Sequence, residues 1–198
     1  MVADSVATSD PKAAALWGLL AAIWTGGELV IFGRSSLRRG ARTKDRGSLV
    51  LILGAVLVGL TLAGILARSW PGAAIHNGRY AVFFAGAGIM AAGIALRFAA
   101  VIVLGRFFTV AVMVGSDQRV VDSGPYRWIR HPAYTGALLA LVGSLLCTTN
   151  WAVLAGVVPV LLALLYRIKV EEQALSDELG DAYRSYIRRT KRLVPFLY

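Results

Sequence analysis

The chain has 198 residues, of which 57% are hydrophobic and only 16% are charged, and its mean hydropathy is +0.65. Soluble domains carry about 25% charged residues, so this composition excludes an ordinary soluble fold and predicts an all-α, polytopic integral membrane protein. The net charge of +10 and the pI near 10.4 do not indicate nucleic-acid binding, because the basic residues lie beside apolar runs, as in membrane-protein loops.

Three apolar runs are long enough to cross the hydrocarbon core as helices, which takes about 20 residues. They occupy 13–33, 49–67 and 80–104. Two shorter runs, 134–149 and 151–166, are separated only by Asn150, which predicts a tight turn between two antiparallel helices. We therefore predict five transmembrane helices in a single membrane domain, 1–198. The polar start of the chain lacks the basic segment of a signal peptide, so the first run is expected to remain a span.

Basic residues concentrate in alternate loops and predict the orientation. The loop after the first run carries Arg34, Arg38, Arg39, Arg42, Lys44 and Arg46 against one acid, Asp45. The positive-inside rule places this loop, 105–133 and 167–198 in the cytoplasm and the N-terminus outside. The arginine-, alanine- and glycine-rich composition indicates a GC-rich bacterial genome, so we expect a bacterial inner (plasma) membrane protein.

Several features inside the apolar runs have structural and functional interpretations. Glu28 and Arg97 are ionisable residues within predicted spans, so they are functional candidates unless they snorkel or pair with each other. The run from Gly86 fits the loose dinucleotide pattern GxGxxA, but it continues without a turn, which predicts close helix packing instead. Cys147 is the only cysteine and lies in an apolar run, so it indicates neither a disulfide nor a metal site.

The segment 118–136, QRVVDSGPYRWIRHPAYTG, lies between the third and fourth predicted spans. Its Gly124-Pro125 pair predicts a turn. Pro132 is well placed as the first residue of a helix that His131 precedes. The N-terminus of that helix, beside Arg130 and His131, would bind an anionic group such as a carboxylate or phosphate. An interfacial turn with arginine and aromatic anchors is the alternative.

The segment 171–198, EEQALSDELGDAYRSYIRRTKRLVPFLY, directly follows the last apolar run. Helical spacing continues to Leu179, and Gly180 predicts the end of a helix that projects into the cytosol. Glu171 and Glu172 lie near its exit, where a carboxylate accepts ribose hydroxyls or pairs with arginine. Adjacent residues differ by about 100° around a helix, so only one of the two is expected to face a site.

A short second helix is predicted after Gly180. Tyr183, Tyr186 and Ile187 form its apolar stripe, with arginines around it. By itself, this pattern also suits a helix that lies on the membrane surface.

Together, these two segments resemble the isoprenylcysteine carboxyl methyltransferase family, within the wider group that includes phospholipid N-methyltransferases. The family pattern is GPYxxxRHPxYxG followed, one helical hairpin later, by EExxLxxxFGxxYxxYxxRTxRxxPxxY. The first motif is complete over 124–136, and the second motif spans 171–198 with Leu179 in place of phenylalanine, an apolar-for-apolar change. The run LGRFFT before the first motif is also similar. The resemblance covers about the C-terminal half of the chain.

The resemblance implies S-adenosylmethionine as methyl donor, S-adenosylhomocysteine as product, and a donor pocket built from 105–133 and 167–198 without a Rossmann domain. The donor's carboxylate is expected at the helix start that follows the first motif's arginine, and one of the paired glutamates is expected at its adenosine end. Tyrosines and a proline of the second motif would line the pocket. The expected donor-binding residues are Tyr126, Arg130, His131, Pro132, Tyr134, Gly136, Glu171, Glu172, Tyr183, Tyr186 and Pro195.

The methyl acceptor is expected to be lipophilic and to enter from the bilayer. A carboxylate acceptor of the isoprenylcysteine type would be oriented by Arg189 or Arg192, and the basic pocket favours this class. A phosphatidylethanolamine-type amine is the alternative, with Glu171 or Glu172 as the base. An NADPH-dependent membrane reductase and a non-enzymatic lipid-binding or transport protein remain open. The chain predicts contacts with membrane lipids and indicates no oligomeric state.

Overall fold

The computed structural model describes residues 5–36, 42–43, 45–108, 110, 113–114 and 119–194. Its helices are α1 (Val6–Ser9), α2 (Pro11–Ser36), α3 (Ser48–Ser69), α4 (Arg79–Leu104), α5 (Pro132–Leu146), α6 (Val157–Leu179) and α7 (Asp181–Arg189). Short 3₁₀ turns lie at Pro71–Ala73, Gly105–Phe107, Gly124–Arg127 and Trp151–Gly156. Two short strands, β1 (Arg42–Thr43) and β2 (Met113–Val114), pair antiparallel with Arg42 opposite Val114. The predicted all-α membrane fold is confirmed apart from this short pairing.

Among the described residues, four helical segments are long and apolar enough to cross a membrane: Pro11–Arg34, Ser48–Ser69, Arg79–Phe107 and Trp151–Leu179. A fifth, Pro132–Leu146, is apolar but shorter. The described part of the chain therefore has five apolar helices close to the predicted spans, while five complete crossings and the orientation of the ends stay predictions. Asn150 does form the predicted tight turn, where its side chain accepts a hydrogen bond from Ala152 N–H at 2.9 Å.

Glycines hold α4 and α5 in close antiparallel contact. A Cβ added to Gly93 would lie 2.7 Å from Gly136 O, and one added to Gly143 would lie 2.5 Å from Gly86 O. The two glycines on each helix are seven residues apart, so they recur on one face and let the backbones approach without intervening side chains. The prediction that the Gly86 run packs helices is therefore confirmed. Gly136 belongs to this packing surface, and its predicted contact with a donor stays a prediction.

The other close helix pair is α3 with the start of α6. Gly59 and Gly156 meet there, since a Cβ on Gly156 would lie 2.4 Å from Gly59 O. The hairpin formed by α5 and α6 is therefore splayed, because its two arms pack on different partners. At one end of the bundle, α4 stops at Leu104, α5 starts at Pro132 and α6 stops at Leu179. We call this the motif end, because both sequence motifs lie there.

Glu28 and Arg97 form an ion pair between α2 and α4. The Nε and Nη2 atoms of Arg97 donate to the two carboxylate oxygens of Glu28 at 2.6 and 2.8 Å, and Nη1 donates to Ala133 O at 3.3 Å. The Arg97 guanidinium also lies over the rings of Trp24 and Phe108. Mutual pairing, one of the alternatives for these residues, is confirmed, and the pair ties α2, α4 and α5 together.

Candidate active site

The two motifs meet at the start of α5. Pro132 is the first residue of α5 and His131 precedes it, as predicted, and Gly180 ends α6 with a positive φ of 54°. The chain after α7 then returns alongside 128–131. Hydrogen bonds join it to the first motif, among them Lys191 N–H to Trp128 O (3.2 Å), Arg130 N–H to Lys191 O (2.7 Å), His131 N–H to Arg192 O (3.1 Å) and Thr135 Oγ1–H to Leu193 O (2.7 Å). The second motif therefore covers the beginning of α5.

Glu172 is the hub of the contacts between the motifs. Its carboxylate accepts from Arg130 Nε at 2.8 Å and Arg192 Nε at 3.1 Å, and it lies 3.3 Å from His131 Nε2. The Glu172 side chain is only 10% exposed. Arg130 also donates through Nη1 to the backbone carbonyl of Ile187, at 3.3 Å, and to that of Thr190. The anion beside the start of α5 is thus the chain's own carboxylate, so pairing with arginine, one of the two alternatives for the paired glutamates, holds for Glu172.

Glu171 takes part in a second chain of hydrogen bonds. Tyr134 Oη donates to Glu171 Oε2 at 2.7 Å, and Arg167 Nε donates to Tyr134 Oη at 2.7 Å. His131 Nδ1 lies 3.8 Å from the same Glu171 oxygen, and its ring stacks on Tyr134 with centroids 5.5 Å apart. Both paired glutamates therefore reach the His131–Tyr134 segment from α6, while the expectation that only one of them faces the donor stays a prediction.

Arg167 connects this network to the start of α3. Its Nη1 donates to Asp45 Oδ1 at 2.7 Å and to Ser48 Oγ at 3.0 Å, and its Nη2 donates to Val110 O. Arg167, Asp45 and Ser48 are all buried. The sequence analysis did not predict that Arg167, Asp45 and Ser48 belong to the site. Two signals were present in the sequence: Arg167 directly follows the last apolar run, and Asp45 is the one acid of a basic loop.

Three buried tyrosines close the site on the α7 side. Tyr186 Oη donates to the backbone carbonyl of Tyr126 at 2.6 Å, and the rings of Tyr183 and Tyr186 lie 5.9 Å apart. Burial raises the pKa of Tyr126 and Tyr186, and burial together with the nearby Glu171 and Glu172 carboxylates raises the pKa of Tyr183. All three hydroxyls therefore stay protonated at neutral pH and form a neutral wall.

Arg189, a predicted site residue, lies apart from this cluster. Arg189 points to the surface, where its Nη2 is 2.6 Å from Asp122 Oδ2 and both side chains are more than half exposed. The structure therefore brings Arg192, not Arg189, to the paired glutamates. Pro195, predicted to wall the donor pocket, lies outside the residues that the structure describes.

Comparison with known proteins shows which family the chain resembles. The model of the isoprenylcysteine carboxyl methyltransferase family matches residues 86–177, slightly under half of the chain, which include most of α4, all of α5 and most of α6.

Relatives show how far this likeness extends. Protein-S-isoprenylcysteine O-methyltransferase B of Arabidopsis thaliana is 35% identical over 106 residues, which cover 52% of this chain and 53% of that protein. Methanethiol S-methyltransferase 1 of Bradyrhizobium diazoefficiens is 32% identical over 71 residues, or 36% of this chain and 24% of that protein. The chain therefore spans about half the length of the curated plant relative that it matches.

A solved structure has a similar fold. The eukaryotic intramembrane Ras methyltransferase, an isoprenylcysteine carboxyl methyltransferase, superposes with a TM-score of 0.64 over 97% of this chain and 70% of that one, at 19% identity. At this identity the likeness supports the fold, including the two helices that precede the family match.

Proposed function

We propose that this protein is an S-adenosylmethionine-dependent methyltransferase that acts on a lipophilic acceptor at the membrane interface, by carboxyl O-methylation of an isoprenylcysteine-like substrate. One observation carries the proposal: the paired glutamates contact the Arg130–Tyr134 segment, and the chain segment after α7 covers these contacts. The family match supports the reaction class, since the relatives that the chain resembles are named as methyltransferases.

The side chains at this site suit the methyl donor. Among the described residues, both contacts of Glu171 use Oε2, and the side chain is 27% exposed. Oε1 is therefore available for ribose hydroxyls or for the donor's ammonium group. Arg192 is 38% exposed and lies next to His131, so this side of the cluster suits the donor's carboxylate. The neutral wall of Tyr183 and Tyr186 suits an adenine ring and the cationic sulfur.

When bound, S-adenosylmethionine supplies an electrophilic methyl group on a sulfonium centre. The residues of this chain have to align the acceptor with that methyl and exclude water, which is the main catalytic requirement of an in-line displacement. A carboxylate acceptor is already a nucleophile at neutral pH, so it needs orientation by Arg192 rather than a base. An amine acceptor would need a base, for which Glu171 is the more exposed of the two glutamates.

The acceptor class can be measured directly. Purified protein would be incubated with methyl-labelled S-adenosylmethionine and, in separate reactions, a farnesylcysteine analogue, phosphatidylethanolamine or methanethiol. We expect a base-labile methyl ester from the farnesylcysteine analogue. A base-stable product from phosphatidylethanolamine alone would assign N-methylation, and a thioether from methanethiol alone would assign the activity of the Bradyrhizobium relative. Thermal stabilisation by NADPH and not by the donor would refute the methyltransferase proposal.

The donor-binding role of Glu171 has a matched control on the same helix. Glu171→Gln should weaken donor binding about tenfold or more, since a hydrogen bond to a charged group contributes about 1.5–3 kcal/mol. Glu178→Gln removes the same charge further along α6, away from Tyr134, and should leave donor affinity unchanged. Calorimetric titration with S-adenosylhomocysteine compares the two variants. Equal affinities would contradict the role of Glu171.

The proposed location follows from the same arrangement. With five apolar helices, the protein would sit in a bacterial inner membrane, with the motif end and the C-terminus in the cytoplasm. This side supplies the water-soluble donor, while the acceptor arrives through the bilayer.

A further inference from the structure

A groove with a volume of about 450 Å³ lies between α2 and α4 at the motif end. Its walls include Val30 and Ile31 of α2 and Val101 and Ile102 of α4. Its end is lined by two arginines, Arg34 and Arg106, and both are exposed. The volume is in the range of about 300–1,000 Å³ that is typical of ligand sites.

The groove lies on the motif-end side of a close contact between α2 and α4. Gly27 packs against Phe98 so closely that an added Cβ would lie 2.2 Å from the Phe98 ring, and the Glu28–Arg97 ion pair lies beside this contact. One turn closer to the motif end, the aliphatic side chains leave a gap. The Glu28–Arg97 pair lies about one helical turn further into the bundle than these walls, and the described lining residues of the groove include no acid.

The end of α4 determines where the second arginine lies. Gly105 has a φ of 54°, which lets the chain leave the helix in a 3₁₀ turn at the groove. Arg106 follows directly and lies over the Phe107 ring. Arg34 is in the last turn of α2. Two cations, one in α2 and one in the turn after α4, therefore lie at the same end of an apolar channel.

We propose that this groove binds an anionic phospholipid, with an acyl chain along the α2 and α4 walls and the phosphate at Arg34 and Arg106. A phospholipid combines the two chemistries that the groove offers, and basic pockets between spans are typical sites for anionic headgroups. A zwitterionic lipid carries a compensating cation and fits two arginines less well. The groove borders the candidate active site at Phe108, which lines the groove and packs against Tyr126 and Ala133, but its lining shares no residue with the polar cluster on α5 and α6.

The proposal can be tested by native mass spectrometry of the full-length protein titrated with phosphatidylglycerol and with phosphatidylcholine of the same acyl chains. The wild type should retain phosphatidylglycerol preferentially. Each arginine near an anionic lipid headgroup contributes about fivefold in affinity, so R34Q/R106Q should bind phosphatidylglycerol about thirtyfold more weakly. The control R68Q/R79Q removes the same charge at the opposite end of α3 and α4 and should bind like the wild type.

Three results would overturn the proposal. One is equal retention of the two lipids by the wild type, and another is an equal loss of affinity in R34Q/R106Q and R68Q/R79Q. The third is displacement of phosphatidylglycerol by a farnesylcysteine analogue, which would assign the groove to the methyl acceptor. If R34Q/R106Q does not fold, Arg34→Gln alone changes an exposed side chain and should show about a fivefold loss. An unchanged affinity in that variant would also refute the site.

Discussion

Replacing Glu172 by glutamine should destabilise the motif end of the bundle. The carboxylate contacts Arg130, His131 and Arg192, and glutamine keeps an oxygen acceptor but loses the charge. Arg130, whose side chain is only 7% exposed, would then be a buried cation without its counter-ion. Removing one partner of a buried ion pair costs about 3–5 kcal/mol, and we take the lower end because the hydrogen-bond acceptor remains. The ion pair between Arg192 and Glu172 is partly exposed and screened by solvent, so its loss adds little to this cost.

A loss of about 3 kcal/mol should lower the melting temperature of a protein of this size by roughly 6–12 °C. Thermal unfolding of the purified protein in detergent, followed by circular dichroism without donor, measures this shift. Glu171→Gln is the matched control, because its carboxylate is more exposed and accepts from a tyrosine rather than a buried arginine. Equal shifts in the two variants, or no shift in Glu172→Gln, would refute the assignment of Glu172 as the hub that holds the motifs together.

Three further outcomes test the packing and the polar contacts. Gly93→Ala should destabilise the protein by about 1–3 kcal/mol, seen as a lower melting temperature, because the new methyl meets the backbone of α5. Arg97→Gln should cost about 3 kcal/mol by the same assay, and adding Glu28→Gln should restore part of the loss by removing the unpaired carboxylate. Tyr186→Phe should lower the free energy of unfolding by about 1 kcal/mol, because the hydrogen bond to Tyr126 O is lost. In the wild type, absorbance titration should show that Tyr186 stays protonated above the ordinary tyrosine pKa of about 10, because burial raises its pKa.

Much of the fold was predictable because its signals are local. Apolar runs marked the helices, Pro132 marked the start of α5, Gly180 marked the end of α6, and Asn150 marked the turn. These signals depend on the backbone preferences of single residues and on hydropathy over a window of neighbours. The motifs were similarly visible because each is a contiguous segment. Bounds differed by a few residues where helices continue past the apolar runs, as α2 does from Pro11 to Ser36 around the run 13–33.

The contacts within the site were less predictable. Sequence reasoning treated Arg130 and His131 as ligands for an external anion, whereas Glu172 already pairs with Arg130 and contacts His131. It also treated Arg189 and Arg192 as equivalent, although Arg189 pairs with Asp122 on the surface. Each of these outcomes depends on which way a side chain points once the segment after α7 has returned to the start of α5. Neighbouring residues in the chain carry no signal for that direction.

The amino-acid sequence by itself determined that this is a helical membrane protein, where its helices begin and end, and which two segments carry the family motifs. Only the tertiary structure decided that Glu171 and Glu172 both face the first motif, and that Arg167 reaches Asp45, 122 positions away in the chain. The physical reason is distance along the chain. Helix formation depends on nearby residues, but the partners of a buried charge depend on how closely the glycine faces of α4 and α5, and of α3 and α6, let the helices approach.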